Sequence, residues 1–198
     1  MGQIVSFLFI VFYLFMHLPA VYAAAEDLIV DDFNDGDMKN NVSGEWEVWL
    51  RTEDDPSQSC KMSFVKEEAL GPSTPGQSAQ LDYDVDSANP AYNGIRTYLH
   101  HLDASGYGFL NLYVKGDAAT GFPPSLKIEL IGPSDRPSPY MLTGITDQWQ
   151  KFSIPFTEFF LIKDWTKVEK FVVVFADITS NPKVGRVYID HVTFSKDK

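Results

Sequence analysis

Turn-forming clusters recur along this chain at short spacing, and the stretches between them have the length of strands rather than helices. Asp54-Asp55-Pro56-Ser57, Gly121-Phe122-Pro123-Pro124, Gly132-Pro133-Ser134-Asp135 and Ser180-Asn181-Pro182 are four of these clusters. Pro removes a backbone donor, and Gly, Asn and Asp tolerate the left-handed turn conformation, so each cluster ends an extended run. The intervening sequence predicts strands near 27–33, 45–51, 59–66, 77–85, 93–100, 108–115, 125–131, 138–143, 148–154, 170–176 and 185–194. Only Phe156 to Lys163 reads as helical, and it is short. No internal repeat or long linker divides the chain, so the pattern predicts a single all-β domain built as a sandwich or barrel.

Alternation sorts each strand into two faces. Ala79, Leu81, Tyr83 and Val85 share one side of their strand, opposite Gln80, Asp82 and Asp84. Ile95, Thr97 and Leu99 oppose Arg96, Tyr98 and His100; Leu110, Leu112 and Val114 oppose Phe109, Asn111 and Tyr113; Leu126, Ile128 and Leu130 oppose Lys127, Glu129 and Ile131. One face is aliphatic core, and the other mixes aromatic, charged and amide groups. Phe171-Val172-Val173-Val174-Phe175 is apolar throughout, the mark of a strand buried on both faces.

The N-terminus predicts export. Residues 2–25 carry no charge, Ile4 to Leu18 is almost continuously apolar, and Val21-Tyr22-Ala23 resembles a cleavage site. A signal peptide over 1–23 and a mature domain over 24–198 follow, with a retained membrane anchor as the rival reading. The formal net charge of −11 repels phosphate backbones and argues against nucleic acid as a partner. Cys60 is the sole cysteine, so no internal disulfide forms, and its strand context predicts a buried, inert thiol.

Five stretches, in order, resemble the galactose-binding-like jelly rolls, and among them carbohydrate-binding module family 11 and the complex I intermediate-associated protein 30 family. They are Ile29-Val30-Asp31-Asp32-Phe33-Asn34-Asp35-Gly36-Asp37; Gly44-Glu45-Trp46; Leu102 to Tyr107 leading into Leu110 to Asp117; Trp149 to Phe156 with Asp164-Trp165; and Val187 to Phe194. The resemblance implies a two-sheet jelly-roll β-sandwich. It also implies a structural Ca²⁺ held by some of Asp32, Asp35 and Asp190, with His191 standing where relatives often carry a second Asp. The competing reading of these carboxylates is that they are solvated turn residues.

Sugars offer flat apolar faces edged with hydroxyls, which proteins grip with aromatic rings and with carboxylate, amide or guanidinium groups. The non-core face supplies Arg96, Tyr98, Asn111, Tyr113 and Glu129, with Tyr140 joining from the next strand, as a candidate carbohydrate-binding groove. Cross-strand pairing alone also accounts for such residues. Trp46, Trp149 and Trp165 read as scaffold, whereas Trp49 shares a face with neither Val48 nor Leu50 and could serve as a platform. The G-x-S-x-G, H-E-x-x-H and Gly-rich phosphate motifs are absent, and alternation would send His100 and His101 to opposite faces. The expectation is a secreted or periplasmic, non-catalytic polysaccharide-binding protein without an attached catalytic domain. A protein-interaction or assembly factor on the same fold, using an apolar patch near Phe159-Phe160 or Phe122, is the alternative, and a glycoside hydrolase or lyase ranks third.

Overall fold

A computed structural model describes residues 27–66, 68–70 and 76–198. The signal segment expected over 1–23 lies outside the described residues. Eleven strands follow one another: β1 (Leu28–Asp31), β2 (Trp46–Leu50), β3 (Ser59–Val65), β4 (Ser78–Asp84), β5 (Tyr92–Leu102), β6 (Phe109–Gly116), β7 (Ser125–Ile131), β8 (Pro137–Thr143), β9 (Gln150–Pro155), β10 (Val168–Ala176) and β11 (Val184–Ser195). All eleven expected strands are present. The expected helix shrinks to one 3-10 turn, Phe156–Glu158, because Phe156 and Phe159 turn inward to the core and Phe160 is left in solvent.

The strands form two antiparallel sheets. One has the order β3-β4-β11-β6-β9, with β1 also pairing with β11; the other has the order β2-β5-β10-β7-β8. Consecutive strands therefore often cross between sheets, as the jelly roll requires. Leu81, Leu110, Leu112 and Ile189 on the six-stranded sheet meet Ile95, Ile128, Phe171 and Val173 on the five-stranded sheet in a fully buried core. Among the described residues, no helix is long and apolar enough to cross a membrane.

Two acidic or amide side chains lock the first connection. Asp31 accepts hydrogen bonds from Phe33 N at 2.7 Å and from Trp46 Nε1 at 2.6 Å, tying β1 to β2. Burial, only partly offset by these bonds, pushes its carboxyl up to about 6. Asn40 is buried; its Nδ2 donates to Thr97 Oγ1 and Tyr98 O at 2.7 and 2.8 Å, and its Oδ1 accepts from Val42 N and Gly44 N. Gly44 is required here by space. A Cβ on it would lie 1.8 Å from Tyr98 O.

Cys60 is half-buried with its thiol pushed up to about 12, first by burial and then by the charge of Asp82. Such a thiol carries almost no thiolate at neutral pH and is unreactive.

Candidate functional site

β10 lies at the centre of the five-stranded sheet, so its apolar run faces the core on one side and the sheet's outer side on the other. Phe171, Val173 and Phe175 enter the main core, while Val172 and Val174 join Ile131 in a second apolar cluster on the outer face, packed by Trp49. The register sets out rows across this face. One row is Glu47, Arg96, Val172, Glu129 and Pro139; the next is Trp49, Gly94, Val174, Lys127 and Met141. Gly94 adds no side chain between Trp49 and Val174. The indole therefore lies against the apolar band, with its Nε1 unpartnered.

Long side chains form a collar around the band. Arg96 bonds Glu47 Oε2 through Nε at 2.9 Å and Nη2 at 2.8 Å, and the Tyr98 hydroxyl donates to the same oxygen at 3.3 Å. Cationic atoms of Arg96 and Lys170 lie 5.9 and 5.7 Å from the centre of the Tyr98 ring. Lys127 pairs with Glu129 at 3.0 Å, and Lys170 with Asp135 at 3.0 Å. At the opposite end, the Trp49 and Tyr92 rings meet edge to face at 5.7 Å, and Arg51 stands 5.0 Å over Tyr92.

The six residues expected to form one groove are divided between locations. Arg96, Tyr98 and Glu129 share this outer face. Asn111 and Tyr113 lie on β6, in the other sheet, because alternation tells inside from outside but not which sheet a strand enters. Asn111 is only 1% exposed and donates from Nδ2 to Ser195 Oγ at 2.7 Å. Tyr140 stands opposite Ile128, so it points to the core, where its ring lies 6.2 Å from Phe159. Its parity with Leu142 already carried that signal. Glu47, Tyr92, Lys127 and Lys170 were missed because no local pattern shows that β2, β5, β10 and β7 lie side by side. Trp46 is core, and Trp165 packs on its rim, stacked on Phe156 at 3.9 Å.

A concavity of about 320 Å³ opens on the six-stranded sheet and is lined by Asp32, Asn34, Leu70, Gly76, Tyr113, Asp190 and His191. It lies where β11 bulges between Asp190 and Thr193. Burial pushes Asp190 up to about 6, while its two oxygens accept from Leu70 N at 3.1 Å and His191 N at 2.7 Å. With both oxygens committed to backbone donors, Asp190 is placed to hold the bulge and Leu70 rather than to deliver a proton. Oxygen donors of this kind suit a hard cation, and Asp32 and Asp190 share the cavity. Asp35 is not among its lining residues; its Oδ1 accepts from Asp37 N. Among the described residues, no three His, Cys, Asp or Glu side chains converge as a metal cage.

The fold is that of the galactose-binding-like jelly rolls found among carbohydrate-binding modules. It superposes on the family 11 carbohydrate-binding module of a cellulosomal cellulase of Clostridium thermocellum with a TM-score of 0.62 at 14% identity, covering 88% of this chain and 97% of that one. A family 11 carbohydrate-binding module from Clostridium thermocellum in complex with a β-1,3-1,4-mixed-linked tetrasaccharide gives 0.62 at 15% identity, over 87% and 97% of the two chains. A xylan-binding family 22 domain from Paenibacillus barcinonensis gives 0.52 at 14% identity, over 88% and 98%. No family model matches the sequence, and no curated protein matches it.

Proposed function

We propose that this protein is an exported, non-catalytic carbohydrate-binding protein that holds a neutral polysaccharide along the outer face of its five-stranded sheet. The observation that carries the reading is the apolar band of Ile131, Val172 and Val174, bordered by Trp49, Tyr92 and Tyr98 and collared by hydrogen-bonding charges. Aromatic rings match the apolar faces of pyranoses, and Arg96, Glu47, Lys127 and Glu129 can exchange their mutual bonds for bonds to hydroxyls. Four cations (Arg51, Arg96, Lys127, Lys170) against three carboxylates (Glu47, Glu129, Asp135) make this face nearly neutral on a chain of net charge −11. A neutral polymer meets no repulsion there. The sugar-binding modules of the same fold support the assignment, and the tetrasaccharide held by one of them makes mixed-linkage β-glucan the first probe. A calcium ion belongs to the same reading as a stabilising element, with Asp32 and Asp190 as its carboxylates.

The interaction-factor alternative has less support. Phe159 is buried and Phe122 fills the space beside Gly116, leaving Phe160 alone at 62% exposure in place of a flat apolar patch. The test is binding of the purified protein to mixed-linkage β-glucan, soluble cellulose derivatives and xylan, with calcium and with chelator. Saturable binding to one class, lost in Trp49→Ala and Tyr98→Ala variants that remain folded, supports the reading. A folded protein that binds none of them refutes it for those glycans.

A further inference from the structure

The end of β5 carries strain that pairing alone does not demand. Its register with β10 runs from Tyr98 opposite Lys170 to Leu102 opposite Val168, so Leu99, His100 and His101 stand against Glu169 alone. Within this bulge, His100 and His101 take φ values of 50° and 60°. They are the only two adjacent residues with positive φ among the described residues. The left-handed region is unfavourable for residues with a Cβ, and glycine would occupy either position without that strain.

The two histidines have different tasks within the bulge. His101 reaches back through Nδ1 to Glu169, clamping the bulge to β10. His100 is exposed, and its ring lies nearly parallel to that of Tyr98, 17° between planes with centroids 6.1 Å apart. Tyr98 is itself flanked by Arg96 and Lys170. The apolar band thus ends in two successive, nearly parallel rings, with the Arg96 and Lys170 cations over that of Tyr98. Bulges commonly re-aim a side chain beside a binding site, and strained residues persist where the surrounding structure fixes them.

We propose that His100 is a ligand-contacting residue whose imidazole, held within the bulge beside Tyr98, extends the Tyr98 ring into a two-ring ledge stacking successive sugar rings of a neutral polysaccharide. This rests on the sugar-binding reading of the same face. His101 is the positioning residue, acting through Glu169 and not on the sugar.

The test compares His100→Gly, His100→Asn and His101→Gly with the wild-type protein, measuring the melting temperature and the dissociation constant for mixed-linkage β-glucan, a cellulose derivative and xylan. Glycine removes left-handed strain at either position, so His100→Gly should melt higher, by about 2–4 °C, and His101→Gly, which also gives up the contact with Glu169, should gain less. Asparagine tolerates the left-handed conformation, so His100→Asn removes the ring while keeping the backbone shape. Both His100 variants should lose affinity by about three- to tenfold. His101→Gly should lose less than either, since the ring beside Tyr98 remains. Unchanged affinity in both His100 variants, with Trp49→Ala still impaired, overturns the ledge and leaves the sugar-binding face standing. Failure of the wild-type protein to bind any of the three glycans overturns both.

Discussion

Acidifying this protein from about pH 7.5 to about pH 5, with chelator present, is expected to stabilise it, and the cause is two buried carboxyls. Asp31 and Asp190 are 2% and 5% exposed, and each is raised from an ordinary 3.8 to about 6. The folded state therefore binds a proton that the unfolded chain releases. Stability is at its lowest above about pH 6, rises as the pH falls through that value, and levels off near 3.8 for these groups. At about pH 5 each site is mostly protonated in the fold and mostly ionised in the unfolded chain, a gain of about 1.4 kcal/mol per group. The charge of Asp31 contributes to the shift at Asp190, so the gains overlap, and a joint figure is about 2 kcal/mol. For a domain of this size that raises the melting temperature by about 4–8 °C. At lower pH the trend reverses. Asp103 and Asp164, held below the usual carboxylate range by the Ser105 and Thr166 hydroxyls and backbone amides, then lose their contribution as they protonate. Urea unfolding across this range, on wild type and Asp190→Asn, reads the effect directly, because the Asn variant should lose about half of the acid gain. A flat or falling stability between about pH 7.5 and 5, with an unchanged urea slope, would refute the reasoning.

Three further outcomes are expected. Trp49→Ala should weaken glycan binding about tenfold in titration calorimetry, whereas Tyr113→Ala, on the other sheet, should leave affinity unchanged. Asn40→Ala removes four hydrogen bonds from a buried turn and should cost about 3 kcal/mol in denaturant unfolding. Calcium should raise the melting temperature in a concentration-dependent way at neutral pH, an effect abolished in Asp190→Asn, and it should flatten the acid gain described above.

What could be read in the sequence follows from how local the controlling physics is. Strand positions depend on alternation and turn residues, both contained in a window of a few amino acids, so all eleven strands stood out. The double-sided burial of β10 was equally local, being written in Phe171 to Phe175. The candidate site depends on lateral order, which arises from pairings such as Arg96 with Glu47 on one side and Val172 on the other, distant in the chain. Arg96, Tyr98 and Glu129 share a face because β5 and β7 both flank β10. Asn111 and Tyr113 have the same outward parity but lie on the other sheet. Bulges are a second limit: nothing in Leu99-His100-His101 signals two extra residues, since the bulge exists only in their pairing with distant β10.

The position of β11 has a consequence for how the chain comes to be folded. This strand follows the other ten described strands, yet it holds β4 and β1 along one side and β6 along the other. During vectorial synthesis the first ten strands emerge without the element that joins them, so the six-stranded sheet cannot close until β11 has emerged. Closure then depends on contacts between distant parts of the chain, and such topologies fold slowly. Removing β11 should therefore abolish the cooperative transition as a whole instead of trimming an edge. A nascent chain of this design also stays open until β11 emerges.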